Sequence, residues 1–596
     1  MARNGTCSRA TEIDLVRSRK HAELHRATST LLGLSALIAV AACAPAQPSA
    51  GLPPRTDGLP GEPARPRGTL KIAWPTEPET LHPKLSGGRG LNEFFWVFNS
   101  FLTYYDFAGV SHPMMAREIP SQENGDWVIN ADGTMVTTYR LRPNLRWHDG
   151  TPLTAADFIL GFEVAIDPDV PIRDRTPEVL MSAVEAPDPH TLVVRWKEPS
   201  LSANRLTYQE LSPLPRHLVE DKYRTNRANF TFGEEWTSAY VGNGPYRLER
   251  WNPGAGLTAR AYVDWALGPP RVDVLDIRFI TEARTQVANL LAGEVDLINS
   301  PGVEPSDAAT VLQVWGTGTA PGYVKTWTRN IRYMEFQHRE VPNWQRAVTD
   351  VRVRQAIMHA TDRQGLLQVV SHGLGQTADM FLGPTEPTFP EAERVITKYP
   401  YDPTRAAALL ADAGWRASRP GEPVTSSGGA TLDVPLWTTS GGDSEPEAAV
   451  IGDGWKTGGI NSSISILAAA VQRDNELRVS FPAVNLSSRG ITLDNFVFTS
   501  ANHPTAETRW QGANRGSFRD ADVERLQHLV LTSFVATDQN RAVVALQKRM
   551  TEIVGIAPLY YGTGVILARN RLKGPVGEVA QKSGMSWNVF DWEIAE

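Results

Sequence analysis

The chain has 596 residues, with 59 Lys+Arg against 66 Asp+Glu for a formal charge of −7, 41% hydrophobic residues and 2 cysteines. That length predicts several domains, and mild acidity without a long basic run argues against nucleic acid as a partner, because phosphate backbones are held by concentrated Lys and Arg. Cys7 and Cys43 both stand near the N-terminus, so no disulfide framework supports the body and the fold must rest on its hydrophobic core.

The first feature in chain order is a processing signal. Residues 31–42, LLGLSALIAVAA, are uncharged and apolar and follow Arg17, Arg19, Lys20 and Arg26. A run of 12 residues is too short to span a bilayer as a helix but suits the apolar region of a secretory signal peptide. Val40-Ala41-Ala42-Cys43 follows the pattern of a bacterial lipobox, which makes Cys43 the expected lipid attachment point and residue one of the mature protein. Glu12, Asp14 and Glu23 are unusual in such a leader and suggest a translation start further downstream. Removing residues 1–42 takes six basic and three acidic residues and leaves a net −10 over 554 residues. Residues 44–68 hold seven prolines and four glycines. Such composition cannot bury enough apolar area to offset its ordering entropy, so 43–68 is expected to be lipid anchor and disordered tether.

The body alternates strand and helix signals. Strands are expected at 69–73, 135–141, 191–196, 272–280, 432–437, 479–484 and 557–561. Thr154 is placed to cap a helix with Asp157 at its third position, and Phe158 and Phe162 then share a face. A helix at 283–292 should end at Gly293 and lead into a strand through Val295-Asp296-Leu297. Asp350 starts a helix carrying Val353, Ile357 and Ala360. Asp402-Pro403 supplies a cap and a first-turn proline for the stripe Ala406, Leu409, Leu410 and Ala413, closed by Gly414. Two amphipathic helices, one through Val523, Leu526, Val530 and Phe534, the other through Val543, Leu546, Met550 and Ile553, are expected to join at Asp538. The fold class is therefore α/β in packed layers.

No catalytic set emerges. H-E-x-x-H, C-x-x-C and G-x-S-x-G are absent, and the histidines lack metal-ligand spacing. Residues 452–459, GDGWKTGG, superficially resemble a phosphate loop, but Lys456 precedes the last glycines, so a helix end and turn is expected there. No metal, cofactor or enzymatic activity is expected. The 17 tryptophans supply broad flat surfaces, most of them for packing and some for a cleft lining.

Five segments together resemble family 5 of the bacterial extracellular solute-binding proteins, the dipeptide and oligopeptide receptors of ABC importers. They are TLKIAWPTEPETLHP at 69–83, YRLRPNLRWHDGTPLTAADF at 139–158, VGNGPY at 241–246 with LLAGEVDL at 290–297, DVRVRQAIMHATDR at 350–363, and YDPTRAAALLADAGW at 401–415. His82 stands where the family's opening element usually has Asp. The order and spread of these segments cover essentially the whole mature body, yet each marks scaffold and none names a ligand.

The resemblance implies a bilobal, periplasmic-binding-protein-like clamshell of the peptide-binding type, with an extra subdomain. Domain I would comprise 69–101, 213–326 and 556–596, domain II 102–212 and domain III 327–555. It implies a monomeric receptor on the outer face of the cell membrane, on the periplasmic side where an outer membrane exists, anchored through Cys43, that captures a peptide or peptide-like solute between its lobes and hands it to ABC permease subunits. The alternative keeps the fold and changes the cargo to an oligosaccharide or metal chelate; a secreted hydrolase on the same scaffold would lack any nucleophile or metal motif.

In peptide-binding members an acid on the loop after a domain III strand, here resembling 478–486, pairs with the peptide's ammonium group. The expected stretch offers Asn485, Ser487, Ser488 and Arg489 instead, with Asp494 the nearest acid. A buried ammonium without counter-charge is costly, so this departure argues against an ordinary free-amine peptide. Arg489 could meet a carboxylate or phosphate, or be a surface or structural arginine. By position, Trp437-Thr438-Thr439-Ser440 and Arg332-Tyr333 should face the cleft, as should Asn92 and Glu93 after the turn at 86–90. The expected ligand contacts are Trp437 as a wall, Tyr333 and Ser488 as hydrogen-bonding groups, Arg489 for an anion and Glu93 for a cation, with Asn485 also in the expected set.

Overall fold

In the computed structural model two long strands, Gly322–Phe336 and Ala557–Arg569, pair antiparallel from Gly322↔Arg569 to Met334↔Ala557 and form the spine of the protein. The structure describes residues 67–596 apart from 86–91, 171, 173–174, 176, 209, 317–320, 420, 441–443, 469–470, 472–473, 492–495, 578, 581–582 and 596. All of them fall within the unit Glu62–Glu596. The leader, Cys43, nearly all of the tether, the turn at 86–90 and Asp494 lie outside the described residues.

The large sheet extends from both sides of this spine. Beyond Ala557–Arg569 come Leu297–Asn299, Thr69–Trp74, Val274–Phe279, Gly256–Ala261 and Tyr246–Asn252, with Thr69–Trp74 parallel to Val274–Phe279. Beyond Gly322–Phe336 come Val484–Arg489, Leu436–Thr439 and Ile464–Leu467, the last two parallel to each other. The two ends pack separate cores. At one end, Leu70, Ile72, Leu257 and Leu275 pack with Phe94, Phe98, Trp587 and Trp592. At the other, Leu436, Val484 and Leu486 meet Val353, Ile357, Leu410 and Trp455 from covering helices. A separate four-stranded sheet, in the order Trp127–Ile129, Met135–Arg140, Thr191–Trp196, Met181–Asp188, buries Met135, Tyr139 and Trp196 against Phe158 of the helix Ala155–Ile166.

The helix signals act as their chemistry predicts. Thr154 and Asp157 form a reciprocal capping box on Ala155–Ile166. Asp350 accepts from the Arg352 N–H at 2.9 Å, and Asp402 from the Arg405 N–H at 2.9 Å, opening Val351–His359 and Pro403–Asp412. The helix Ala283–Ala292 ends on Gly293 in the left-handed region, at φ 80°. Residues 452–459 are the end of the helix Ser444–Thr457 and its closing turn, as expected.

Three expectations need correction. The strand expected at 479–484 is displaced: Asn475–Arg478 is a short helix and the strand is Val484–Arg489. Pro482 cannot donate to a ladder, and the polar run Asn485, Ser487, Ser488 and Arg489 forms a strand because Gly322–Phe336 pairs with it throughout, with Leu436–Thr439 joining on the other side at Val484 and Asn485. The loop after that strand therefore begins at 490, so the stretch taken for the ligand loop is strand. The strand expected at 432–437 is Leu436–Thr439, beginning just after Pro435. The C-terminal helices are Ala521–Thr532 and Ala536–Ile553, so Asp538 stands in the first turn of the second helix and not at the junction.

Two family-like segments interlock. His148 of the RWHDG run accepts the Gly242 N–H at Nδ1 (3.2 Å), and its Nε2 faces the Gly244 carbonyl at 3.0 Å. Asn243 between them accepts the Ser100 N–H at 2.9 Å. A side chain at Gly244 would put its Cβ 2.4 Å from the Asn99 nitrogen, so only glycine allows this approach.

Candidate functional site

A cavity of about 770 Å³ opens where the spine passes between the two ends of the sheet. Its floor comes from the spine itself: Trp327, Arg329, Asn330 and Arg332 from one strand and Tyr560, Gly562 and Thr563 from the other. Glu93, Ser300, Glu304, Val579, Ala580 and Gly584 line it from the first end, and Thr438, Thr439, Ser440, Glu447, Arg478, Ser487, Ser488 and Arg515 from the second. That volume falls in the range of small-molecule sites, and both ends of the sheet contribute to it.

The lining is dominated by hydroxyl and charged groups. Thr438, Thr439 and Ser440 come from the end of a strand, and Ser487 and Ser488 from its neighbour. Arg332 and Glu447 form a two-pronged ion pair, Nε to Oε1 at 3.1 Å and Nη2 to Oε2, with the Glu447 side chain 1% exposed. Arg329 faces Glu304 at 3.3 Å. Arg515 donates to the Ser487 hydroxyl at 2.9 Å and lies 3.8 Å from Glu335, which is buried on the adjacent strand.

Of the expected contacts, Glu93 and Ser488 line the cavity. Both Glu93 oxygens are engaged, accepting the N–H groups of Met585 at 2.9 Å and Ser586 at 2.6 Å. Burial pushes the Glu93 carboxyl up, and those N–H groups restrain the shift. Its role is therefore to hold the segment 585–586 at the rim, which differs from the free cation partner expected. Tyr333 is fully buried, its ring edge-on to Phe381 at 6.0 Å and to Phe498 at 5.6 Å. Burial raises its phenol pKa. Its neighbour Arg332 faces the cavity instead, because successive residues of a strand point to opposite faces. Asn485 is buried in the ladder between Glu335 and Trp437. Trp437 is half-buried and outside the lining, where Thr438 and Thr439 take its place. Arg489 also lies outside it, with Nη2 3.5 Å from the Ala513 carbonyl.

Sequence reading placed the segments 332–333, 437–440 and 487–488 and missed Arg329, Glu447, Arg478 and Arg515. Arg515 sits in a loop with no strand or helix pattern to flag it. Glu447 belongs to a helix whose acidic first turn reads as ordinary capping charge. Among the described residues no cluster of three or more His, Cys, Asp or Glu is placed to hold a metal, and no helix is long and apolar enough to cross a membrane.

Residues 123–507 match the family described as bacterial extracellular solute-binding proteins, family 5 middle. A Brucella ovis protein, named as a candidate ABC transporter peptide-binding protein, is 28% identical over 314 residues, covering 50% of this chain and 55% of its own. The chain thus spans about half the length of that relative. The Bacillus subtilis oligopeptide-binding protein AppA, solved with a nonapeptide, superposes with a TM-score of 0.64 at 19% identity, over 90% of this chain and 100% of its own. NikA from Brucella suis, solved with Fe(III)-EDTA, gives 0.69 at 18% identity over 89% and 100%. At these identities the likeness is one of fold, the bilobal α/β clamshell of the periplasmic peptide-binding proteins.

Proposed function

Since the chain belongs to family 5 of the bacterial extracellular solute-binding proteins, we propose that it is an extracytoplasmic receptor that takes a peptide or peptide-like solute between two lobes and delivers it to an ABC permease. The observation that carries this reading is the cavity of about 770 Å³ lined from both ends of the sheet and floored by the spine strands. A solute there touches both ends at once. It binds the closed arrangement better than the open one, and that difference alone can drive closure. The lobes are domain I (69–101, 213–326 and 556–596) with domain II (102–212), and domain III (327–555). The named relatives that bind peptides favour the peptide reading. Lipidated Cys43 holds the receptor, a monomer, to the outer face of the membrane, and the Pro/Gly-rich segment after it acts as tether.

A second reading, a metal chelate or oligosaccharide as cargo, draws on the hydroxyl-rich wall and on NikA with its Fe(III)-EDTA. Native mass spectrometry of the protein as purified separates the two. A bound peptide mass is expected, and a carbohydrate or chelate mass, with no stabilisation by mixed peptides in a thermal-shift screen, would overturn the peptide reading. Cys43→Ala should release the protein from the membrane fraction; unchanged membrane attachment would refute the anchor.

A further inference from the structure

Past the end of the spine strand Gly322–Phe336, a second cavity of about 440 Å³ lies between His338 and Arg339 on one side and the segment 503–519 on the other, and it shares no lining residue with the cavity between the sheet ends. Its two sides are fastened together: the His338 N–H donates to the Gly516 carbonyl at 2.8 Å, and Arg339 Nη1 to the Pro504 carbonyl at 3.1 Å. Two guanidiniums line it, and neutral groups position both. Arg339 Nη2 donates to the Val479 carbonyl at 2.7 Å, and the guanidinium lies over the Trp510 ring, 5.0 Å from its centroid. Arg519, on the surface, donates from Nε at 3.3 Å and Nη2 at 3.1 Å to Nδ1 of His503. The buried His503 ring sets its Nε2 2.9 Å from the Phe518 carbonyl. That carbonyl can only accept, so Nε2 carries the proton and the ring is a neutral acceptor for Arg519.

Arg329 and Arg332 are each met by a carboxylate. Among the described residues Arg339 and Arg519 have no ion-pair partner, and Asp520, next to Arg519, is taken by Arg549 at 2.7 Å. Both arginines are thus oriented and left with their full charge. Burial, with no carboxylate opposing it, presses the Arg339 guanidinium below its ordinary pKa. The hydroxyls of Thr505 and Ser517 adjoin them in the lining. Trp510 at φ 59° and Ser517 at φ 53° sit in the left-handed region, which residues other than glycine hold only where the surrounding contacts fix them.

We propose that Arg339 and Arg519, with the hydroxyls of Thr505 and Ser517, form a phosphate-binding site on this face of the protein, separate from the solute cavity. Two guanidiniums and two hydroxyls offer more donors than the two oxygens of a carboxylate can accept, and a tetrahedral oxyanion spreads its acceptors to meet them. The cavity is also larger than one carboxylate needs. The phosphate has two sources, free inorganic phosphate and a phosphomonoester whose organic part fills the remaining volume.

Titration calorimetry on the full chain, at ionic strength held constant with chloride, tests this with inorganic phosphate, glycerol phosphate and acetate. Phosphate should bind at least about tenfold tighter than acetate, and the comparison with glycerol phosphate identifies the source. Arg519→Gln and Arg339→Gln should each weaken phosphate about tenfold and remove the matching part of its thermal stabilisation. Arg519 is exposed and outside every core cluster, so its variant keeps the test open should Arg339→Gln fold poorly. No phosphate binding at millimolar concentration overturns the site. Binding that both variants leave unchanged places the phosphate elsewhere, in the solute cavity or on the surface, and also overturns it. Acetate binding as tightly as phosphate overturns the phosphate class.

Discussion

Acidification should loosen the junction where His148 holds the Gly242–Gly244 loop. The Gly242 N–H can only donate and the Gly244 carbonyl can only accept, so the ring must be neutral, with its proton on Nε2. His148 is 8% exposed, and its ring lies edge-on to Tyr262 at 5.1 Å. Burial, with the Arg247 charge adding to it and the Gly244 carbonyl opposing, lowers the pKa from 6.5 to about 4. The folded value is depressed, so between those two values the unfolded chain binds a proton that the native chain refuses. The stabilisation is therefore complete above pH 6.5 and is lost as pH falls toward 4. With these pKa values, lowering the pH from about 7.5 to about 5 costs about 2 kcal/mol through this one ring. His82 and His338, each lowered to about 3 chiefly by burial, add to the loss in the wild type. His148→Asn isolates the contribution: its side-chain oxygen can still accept the Gly242 N–H, and it cannot titrate. Calorimetric unfolding of both proteins across that range should show the variant less stable near neutrality but with a pH dependence shallower by about 2 kcal/mol. Parallel pH profiles would refute the assignment of a neutral, proton-refusing ring at this junction.

Gly244→Ala should cost about 3 kcal/mol or more, because the new Cβ meets backbone at 2.4 Å. Gly562→Ala meets only the Asn330 side-chain amide, at 2.1 Å, and should cost about 1 kcal/mol while reshaping the cavity floor; thermal unfolding ranks the two. Glu447→Gln leaves Arg332 without its counter-charge and should cost about 3 kcal/mol in urea titrations, with Arg332→Met/Glu447→Met recovering much of the loss. Glu93→Gln keeps one acceptor oxygen for two N–H donors, so about 1–2 kcal/mol is lost. The exchange protection of the Met585 or Ser586 amide should fall with it.

The readable parts of this fold are those set by local chemistry. Caps at Thr154, Asp350 and Asp402 and the left-handed stop at Gly293 each satisfy backbone groups within a few residues, so their signals sit side by side in the chain. The strand Val484–Arg489 fails that condition. Its polar half reads as loop, and only the strand Gly322–Phe336, far away in sequence, supplies the partners that make it a strand, Leu436–Thr439 pairing just with its first two residues. Arg332 and Glu447 are likewise 115 residues apart and come together only through the packing of a helix over the sheet.

The cavity's chemistry was hidden for a further reason, which lies in the spine. A regular strand places alternate residues on one face, so a count by twos through Trp327 and Arg329 continues to Ile331 and Tyr333. Both of these are fully buried, while Asn330 and Arg332 line the cavity beside Trp327 and Arg329. The pairing with Ala557–Arg569 slips between Thr328 and Asn330 and again between Arg332 and Tyr333. A bulge turns the following side chains to the other face, so two adjacent residues, Arg329 and Asn330, can both reach the cavity. The partner strand accommodates this with Gly562, opposite Asn330, where any side chain would strike the Asn330 amide. Alternation predicts the two faces of the spine only up to the first slip. Beyond it, Arg332 in place of Tyr333 gives the floor a guanidinium where sequence periodicity puts a phenol, and with it the need for Glu447.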